Sequence, residues 1–556
     1  MGVNGIYGLS GSGIDVESMV KAGMLTKQNA YDKMYKKETK NEWIKSAYSD
    51  IYSSMTTFKY TTISKYKMQS TMNAMKASST DTASVSASAN GAAAAMTHKV
   101  EVTGLSSNAY MVSASAISRN NIADTAKSSI NLQDIVFASA PTGVKSTDVA
   151  ISFTVAGTSD TLTDAQKKKQ TISYTYGDLA NGKTLNDLAA DINALGVNVQ
   201  ASYDSTQDRF SLYNKAGGKS NIISITAAAA DGGGTNAATL FNNLNLKQSK
   251  NGEATSINAF AAAGTVSVAG DNGSVKVDGV EYNNITDNKI TVAGVTYTLL
   301  NKTSSAATVT VAQDTDSIIS SVKQFVEDYN QMLDSLNSKI YETQYADYQP
   351  LTKSQEASMS QTQIDKWNEK AKSGLLYNSS ILKGIVSSMR EALSTPVDSV
   401  ESSYNSASAI GITSSTNKGH ITLNEDKLKK ALAADPDCVY QIFASEQDDY
   451  YYATGNKKNE LTQKSDFRNT GIANRLYFTS LTEGLSSISD YAGTTSSTKD
   501  QSSLGKLITN LQTKMSTFKT QMSAYEDLLY KKYDAMETAI AKLSKQLSTV
   551  TGSNKS

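Results

Sequence analysis

Apolar residues recur at alternating intervals of four and three positions along the C-terminal end of the chain. This heptad spacing predicts a helix with one apolar stripe, the seam of a coiled coil. Two successive steps of four, from Tyr525 to Leu529 and on to Tyr533, form a stutter that relaxes the supercoil locally. Because one helix cannot bury such a stripe alone, the segment needs a partner helix. The stripe consists of Leu504, Ile508, Leu511, Met515, Phe518, Met522, Tyr525, Leu529, Tyr533, Met536, Ile540, Leu543, Leu547 and Val550.

The N-terminal end offers that partner. Heptad spacing is regular over Ile44–Phe58 and looser over Val20–Met34, with a charged stretch, Lys36–Glu42, between them. Asp15 follows a Gly/Ser-rich start and can cap a helix that begins there. Pairing of the two terminal helices would bring the chain ends together, so that everything between them becomes a large insertion.

The insertion has a β-rich part, roughly residues 77–312, in which Ala, Ser and Thr dominate and short alternating runs replace the heptads. Alternation of polar and apolar residues between Gly, Asn and Asp turns predicts half-buried strands. One short helix, Thr184–Leu195, interrupts them. The predicted strands are Val100–Thr103, Val149–Thr154, Gln170–Tyr176, Asn198–Tyr203, Arg209–Tyr213, Asn221–Ile225, Gly264–Val268, Ser274–Val277, Lys289–Leu300 and Ala307–Val311.

A helical pattern returns after Asp314. Apolar residues from Ile318 to Leu336 share one helix face, and Asp314–Ser317 supplies an N-terminal cap. Further helices are predicted at Gln361–Lys372, Ser380–Leu393, Glu425–Ala433 and Asp437–Phe443, with a turn at Asn417–Gly419.

These segments predict a multidomain α+β protein with discontinuous domains. Residues 1–43 and 495–556 form a terminal coiled-coil leg, and residues 44–76 and 313–494 form a helix-rich stem. An inner β-rich antiparallel head domain takes residues 77–118 and 251–312, and an outer, variable one takes residues 119–250.

Composition removes several classes of function. Lys+Arg and Asp+Glu balance at 53 each, so the net charge does not favour a nucleic-acid partner. The single cysteine, Cys438, excludes an intrachain disulfide and a Cys-based metal site. The first residues lack the basic and apolar segments of a secretory signal, and no apolar run is long enough to span a membrane. The expectation is a cytoplasmic protein or one exported without a cleavable signal.

One segment matches a sequence motif of nucleotide-binding proteins. Gly177–Thr184 fits the phosphate-loop pattern and lies between a predicted strand and a predicted helix. In an NTP-binding protein, Lys183 would reach the terminal phosphates and Thr184 would hold magnesium. The preceding strand, Ile172–Tyr176, alternates polar and apolar residues, which suits an exposed antiparallel strand better than a buried parallel one. NTP binding is therefore kept as an alternative only.

The remaining candidate groups point to no catalytic, metal or cofactor site. Gly8, Gly11 and Gly13 have no strand before them, as a dinucleotide loop would require. His98 and His420 lie far apart in the sequence, each near a predicted strand or turn. The abundant carboxylates lie in polar stretches typical of a solvated surface.

Several segments, in order, resemble one family, the flagellar filament cap proteins, also called hook-associated protein 2. Gly8–Val20 is similar to the N-terminal signature of that family, and Asn41–Tyr48 to the helix that follows it. Residues 115–250 resemble the family only in general character. The C-terminal matches are Asp314–Ser317, Phe325–Asn330, Lys372–Leu376, Ile410–Thr413, Asn424–Leu432 and Val439–Phe443.

The resemblance implies a non-enzymatic structural protein without a cofactor. Such a protein is exported by the flagellar apparatus, forms a homo-oligomeric ring at the extracellular tip of the flagellum, and helps flagellin subunits to fold and insert. Further implied partners are the hook-filament junction protein, an export chaperone at the C-terminal helix, and host mucin or glycans at the head. Another flagellar axial protein, such as a junction protein, is the second alternative. The implied leg surface comprises Leu9, Ile14, Val16, Met19 and Val20 together with the C-terminal stripe.

Overall fold

The computed structural model describes residues 15–120, 130–160, 163–227, 233–250, 253–415, 418–445, 464–494 and 500–552. The chain divides into two compact units. Unit 1 is built from Met1–Ala74 and Thr315–Ser556, and unit 2 is the segment between them, Met75–Asp314. The mixed helical and antiparallel β architecture with long terminal helices confirms the predicted fold class. The finer division into leg, stem and two head domains stays a prediction.

Unit 1 is mainly helical. Its long helices lie close to their predicted bounds because capping residues and heptads mark both the ends and the buried face. Short π turns at Phe58–Thr62 and Leu476–Ser480 and a 3-10 turn at Ile63–Lys67 join some of them. The helices are α1 Val16–Thr57, α2 Gln69–Met72, α8 Thr315–Ile340, α9 Lys353–Ala357, α10 Gln361–Lys372, α11 Ser380–Ser394, α12 Glu425–Ala434, α13 Cys438–Ala444, α14 Lys464–Asn469, α15 Ile472–Arg475, α16 Leu481–Ala492 and α17 Ser503–Gly552.

One large hydrophobic cluster holds unit 1 together. The buried face of α8 packs there with the second half of α1, with α11 and with the start of α17. Phe325 lies at its centre, with ring centroids 5.2 Å from Tyr66 and 4.8 Å from Phe443. A hairpin of β18 (Ile412–Ser414) and β19 (Ile421–Leu423) contributes Ile412 and Ile421.

Buried Arg475, the last residue of α15, links α14 to the end of α11. The guanidinium of Arg475, which is fully buried, donates hydrogen bonds to five backbone carbonyl oxygens. Desolvation lowers the pKa of Arg475 to about 10. The arginine satisfies carbonyl acceptors at the end of α11, where the helix offers no further N–H donors. The acceptors belong to Phe467, Arg468, Ala392, Thr395 and Pro396.

Unit 2 is built mainly from antiparallel strands. They form sheets in the orders β1-β17-β3-β13-β14, β11-β10-β4-β8-β7, β12-β9-β5-β6 and β15-β16-β2. The strands are β1 Met75–Ser79, β2 Val85–Ala89, β3 Thr97–Gly104, β4 Asn108–Ser113, β5 Val149–Thr158, β6 Thr171–Thr175, β7 Val199–Asp204, β8 Arg209–Gly217, β9 Asn221–Ala227, β10 Leu246–Lys250, β11 Glu253–Ser256, β12 Thr265–Ala269, β13 Gly273–Val277, β14 Val280–Ile285, β15 Lys289–Val292, β16 Val295–Leu299 and β17 Ala307–Gln313.

The helices of unit 2 are short and pack on its sheets. Phe241 of α7 lies 4.9 Å from Phe153 of β5, measured between ring centroids, in the larger of two hydrophobic clusters. The smaller cluster gathers Val100, Val275 and Tyr297. The helices are α3 Leu132–Val136, α4 Asp164–Lys169, α5 Tyr176–Ala180, α6 Leu185–Ala194 and α7 Gly234–Asn243.

One strand prediction is wrong in a specific way. Lys289–Leu300 is not a single strand, because the chain reverses at Ala293-Gly294 and pairs β15 with β16. Both turn residues have positive φ, 49° and 81°, as a two-residue hairpin turn requires. Alternation continues on both sides of the turn, so polarity alone gives no signal for the break. The other predicted strands and the helix at Thr184–Leu195 are confirmed with small shifts of their ends.

Candidate assembly surface on the terminal helices

The terminal helices α1 and α17 pack against each other as an antiparallel hairpin. The chain positions in contact run in opposite directions: Gly23 faces Leu529, and Glu38 accepts a hydrogen bond of 2.8 Å from Gln512. A Cβ atom on Gly23 would lie 2.8 Å from Cδ1 of Leu529, so the helices approach closely there. The predicted pairing of the chain ends is confirmed. We call this pair of helices the leg hairpin.

The first turn of α1 is formed by its cap and two buried valines. The carboxylate of Asp15 accepts a hydrogen bond of 3.0 Å from the backbone N–H of Ser18. The hydrogen bonds from the Ser18 side chain and backbone hold the pKa of Asp15 below its usual value. Val16 and Val20 are buried in a small cluster with Leu529 of α17. The cap thus starts the helix where its apolar stripe meets the partner helix.

The predicted C-terminal stripe is buried unevenly. Leu504, Ile508, Leu511, Met515 and Leu529 are buried. Phe518, Met522, Tyr525, Tyr533 and Ile540 are half-buried, as is Met19 of α1. Met536, Leu543 and Leu547 are 39%, 63% and 64% exposed. Leu9, Ile14 and the side chain of Val550 lie outside the described residues.

The last turns of α17 carry the most exposed part of the stripe. Met536 and Leu543 are 39% and 63% exposed, whereas Leu529 is buried. We call the residues Met536, Ile540, Leu543 and Leu547 the distal stripe. Apolar residues spaced by four, three and four positions lie on one helix face. Amphipathic helices bind partners through faces of this kind.

Some contacts of the leg hairpin involve residues that sequence reasoning did not single out. The ammonium of Lys27 lies 4.7 Å from the ring centroid of Tyr525 and 5.8 Å from that of Phe518, within the range of a cation–π contact. Lys45 forms an ion pair of 2.5 Å with Asp500. The sequence contains a signal for this part of the helix contact, because heptad spacing continues through the charged stretch. The residues at that spacing are Tyr31, Met34, Glu38, Asn41, Lys45 and Tyr48.

The segment that matches the phosphate-loop pattern has a different structure. Tyr176–Ala180 is a helical turn with a capping box made by Thr175 and Asp178. The strand before it, β6, pairs antiparallel with β5. Lys183 forms an ion pair of 3.0 Å with Asp191. The hydroxyl of Thr184 donates to Asp187 and caps α6. The backbone therefore forms no cradle for phosphates, and Lys183 and Thr184 already have partners.

The other candidate groups have structural partners. His98 lies 2.7 Å from a carboxylate oxygen of Asp278, and His420 lies 2.6 Å from one of Asp334. Burial raises the pKa of the Cys438 thiol to about 12, so this thiol is poorly reactive. Within the described ranges, no group of three or more His, Cys, Asp and Glu side chains could hold a metal ion. No helix in that part of the chain is long and apolar enough to cross a membrane.

Comparison with known proteins identifies the family. Residues 12–109 match the sequence profile of the flagellar hook-associated protein 2 N-terminus, and residues 270–545 match that of the C-terminus. Together the two regions span more than half of the chain. This chain belongs to the flagellar hook-associated protein 2 family. The matched regions contain all of α1 and most of α17.

Individual relatives are similar over most of their length. Flagellar hook-associated protein 2 of Halalkalibacterium halodurans is 27% identical over 97% of this chain and 98% of that protein. B-type flagellar hook-associated protein 2 of Pseudomonas aeruginosa is 24% identical over 80% of this chain and 86% of that protein. A crystal structure of the flagellar cap protein FliD from Escherichia coli, which comprises its D1-D2-D3 domains, is also similar. The match covers 84% of this chain and 99% of that one, with 22% sequence identity and a TM-score of 0.47.

Proposed function

We propose that this chain caps the distal end of the bacterial flagellar filament as a structural, non-enzymatic protein. Membership of the hook-associated protein 2 family supports the proposal. The observation that carries it is the exposure of apolar side chains in the distal stripe, where Met536 and Leu543 are 39% and 63% exposed. A face of this kind is stabilised when a helical partner covers it.

The partner at the leg is flagellin, arriving at the filament end. Leu543 and Leu547 are both more than half exposed, and burial of one leucine side chain contributes on the order of 1.5–3 kcal/mol. Burial of these two residues together with Met536 would contribute favourably to docking of an amphipathic helix. The complete leg surface adds Leu9, Ile14, Val16, Met19, Val20 and the other residues of the C-terminal stripe.

The cap acts as a homo-oligomeric ring that promotes folding and insertion of flagellin, and it docks first on the hook-filament junction protein. An export chaperone binds the C-terminal helix before assembly, because an uncovered stripe favours aggregation. These proposals rest on the family and on the exposure of the distal stripe.

The chain works outside the cell at the flagellar tip, after export without a cleavable signal peptide. Adhesion to host mucin or glycans is assigned to unit 2. Its support is compositional, since the Ser-, Thr- and Asn-rich strands of this unit offer many hydrogen-bonding groups.

The proposal is tested by adding the purified chain to growing flagellin filaments. The solution mass and electron micrographs of the chain should show a closed oligomer, and this oligomer should bind distal filament ends and sustain elongation. A monomer that leaves filament ends unbound would overturn the proposal.

A matched pair of variants locates the activity. Leu543→Ser with Leu547→Ser removes the apolar groups of the distal stripe, and end binding should fall by at least about tenfold, the equivalent of 1.4 kcal/mol. Lys542→Ser with Gln546→Ser changes exposed residues of the same turns on the polar face, and end binding should stay within about twofold. Equal loss in both variants would show that the distal stripe is not the binding surface.

A further inference from the structure

A groove of about 510 Å³ lies in unit 1 between the end of α8, α11 and the β18–β19 hairpin. Ile340, the last residue of α8, lines it together with Tyr341, Val386 of α11 and Ser414 of β18. Ile340 is buried, whereas Tyr341 is 58% exposed. The groove therefore offers apolar surface that a ligand can reach from solvent.

The side of the groove that α11 forms is basic. Four of its side chains line the groove at spacings of four, three and four positions, which places them in one row on one helix face. All four are exposed, and each carries at least one hydrogen-bond donor. The row consists of Lys383, Ser387, Arg390 and Ser394. We call the cleft that contains this row the basic groove.

Arg390 is positioned in the basic groove without an ion-pair partner. A Cβ atom on Gly419 would lie 3.1 Å from Cδ of Arg390 and 3.3 Å from Nε, so the arginine side chain packs against the backbone of the β18–β19 hairpin. Among the residues that the structure describes, no carboxylate forms an ion pair with Arg390. Lys383 donates one hydrogen bond to Oδ1 of Asn378, and its ammonium has two further N–H groups. Both cations can therefore accept an anionic ligand.

Positive charge exceeds negative charge around the basic groove. Glu391 is the one carboxylate among the described lining residues, against the two cations Lys383 and Arg390. Lys418 adds a third cation nearby, because its ammonium lies 5.3 Å from the ring centroid of Tyr341. A concave surface with this balance of charge attracts anionic groups.

We propose that the basic groove binds an acidic segment of a partner polypeptide. Arg390 can hold a carboxylate by two parallel hydrogen bonds, and Lys383 acts as a point charge for a second carboxylate. The apolar lining of the groove receives apolar side chains of the same segment. The row from Lys383 to Ser394 extends over roughly 16 Å, which is longer than one phosphate or sulfate ion. This length and the apolar lining favour a peptide over a small oxyanion, and the proposal does not rest on the capping function.

Fluorescence anisotropy of the full chain with a labelled peptide tests the proposal. The probe is a peptide of alternating glutamate and leucine, about six residues long, which spans the row in extended form. The reference peptide has glutamine in place of each glutamate. The glutamate peptide should bind at least about tenfold more tightly than the glutamine peptide, and added salt should weaken its binding. Equal binding of the two peptides would overturn the proposal.

Two double variants locate the binding. Lys383→Gln with Arg390→Gln should weaken binding of the glutamate peptide by at least about tenfold. Lys429→Gln with Lys430→Gln removes the same charge from exposed positions of α12 and should leave binding within about twofold of the parent. A similar loss in both double variants would overturn the proposal, because any basic surface would then serve.

A competition experiment separates a peptide site from a site for small oxyanions. Inorganic phosphate and sulfate, added at matched ionic strength, should displace the labelled peptide at least about tenfold less effectively than the unlabelled glutamate peptide. Equal displacement by either ion would overturn the assignment of the basic groove to an acidic polypeptide.

Discussion

The ammonium of Lys45 in α1 lies 2.5 Å from a carboxylate oxygen of Asp500, 455 positions later in the chain. This ion pair links the second half of α1 to the residues just before α17. Burial alone would raise the pKa of Asp500, but the hydrogen bonds from Lys45 and Ser502 hold it below its usual value.

The stability of unit 1 should therefore depend on Asp500 in a defined pH window. A carboxyl group with a lowered folded-state pKa contributes stability above its unfolded pKa of about 3.9, and that contribution is lost as the pH falls through the folded pKa. Asp500→Asn should lower the free energy of unfolding at pH 7 by about 1 kcal/mol or less, since the pair is partly exposed. The difference should decrease as the pH falls below about 3.9 and through the lowered folded-state pKa.

Tryptophan fluorescence during urea unfolding measures this effect, because Trp43 and Trp367 both belong to unit 1. Asp490→Asn changes an exposed carboxylate of α16 and is the matched control, with little expected effect. A loss of stability in Asp500→Asn that did not decrease as the pH was lowered would contradict the electrostatic explanation.

Arg475 should be far more important for stability than its neighbour Arg468. Arg475→Met leaves buried carbonyl groups without donors and should cost about 3 kcal/mol or more. Arg468→Met removes an exposed, solvent-screened ion pair with Asp398 and should have little effect on stability. The same fluorescence experiment compares them, and similar costs for the two variants would refute this explanation.

The hairpin turn of Ala293 and Gly294 offers a test in unit 2. Asn tolerates the left-handed conformation better than Ala, so Ala293→Asn should stabilise unit 2 by up to about 1 kcal/mol. Gly294→Ala should destabilise it by about 1 kcal/mol or more, because a Cβ there would lie 2.8 Å from Oδ1 of Asn90. Calorimetry of the full chain should show opposite shifts of the unit 2 transition; shifts of the same sign would contradict the turn assignment.

Nucleotides should not bind through Lys183. Thermal unfolding of the parent chain should be unchanged by ATP with magnesium, because Lys183 and Thr184 are engaged by Asp191 and Asp187. Lys183→Ala should give the same absence of response. A stabilisation by ATP that Lys183→Ala abolished would restore the NTP-binding alternative.

Much of the helical architecture could be predicted because its signals are local. Asp15 marks the start of α1 by its capping ability, and heptads identify the faces of α1, α8 and α17 that meet partners. Ser360 and Ser379 similarly cap α10 and α11. In each case, a short stretch of sequence contains both the boundary and the buried face.

Strands rich in small polar residues were harder to predict. β1, Met75–Ser79, and β2, Val85–Ala89, consist largely of Ala and Ser and carry little alternation of apolar side chains. Their positions depend on pairing with β17 and β16, more than two hundred residues later. Such register comes from tertiary contacts that a local pattern does not contain.

The sequence predicts which residues form the apolar stripe, but not how the burial of those residues varies along the helix. Periodicity identified residues from Leu504 to Val550 equally, whereas in the structure Leu504 to Met515 and Leu529 are buried and Met536 and Leu543 are exposed. The burial of Glu38 and Asn41 could not be predicted, because the sequence showed only a charged stretch there. This burial depends on the alignment of the two helices, which the Gln512 contact makes evident.

The most direct test of the central claim is to locate the chain on polar flagellin filaments by electron microscopy with a gold-labelled antibody. The proposed cap function predicts label at the distal end alone, and loss of that label with Leu543→Ser and Leu547→Ser but not with Lys542→Ser and Gln546→Ser. Label along the filament sides, or end label that does not depend on Leu543 and Leu547, would contradict capping through the distal stripe.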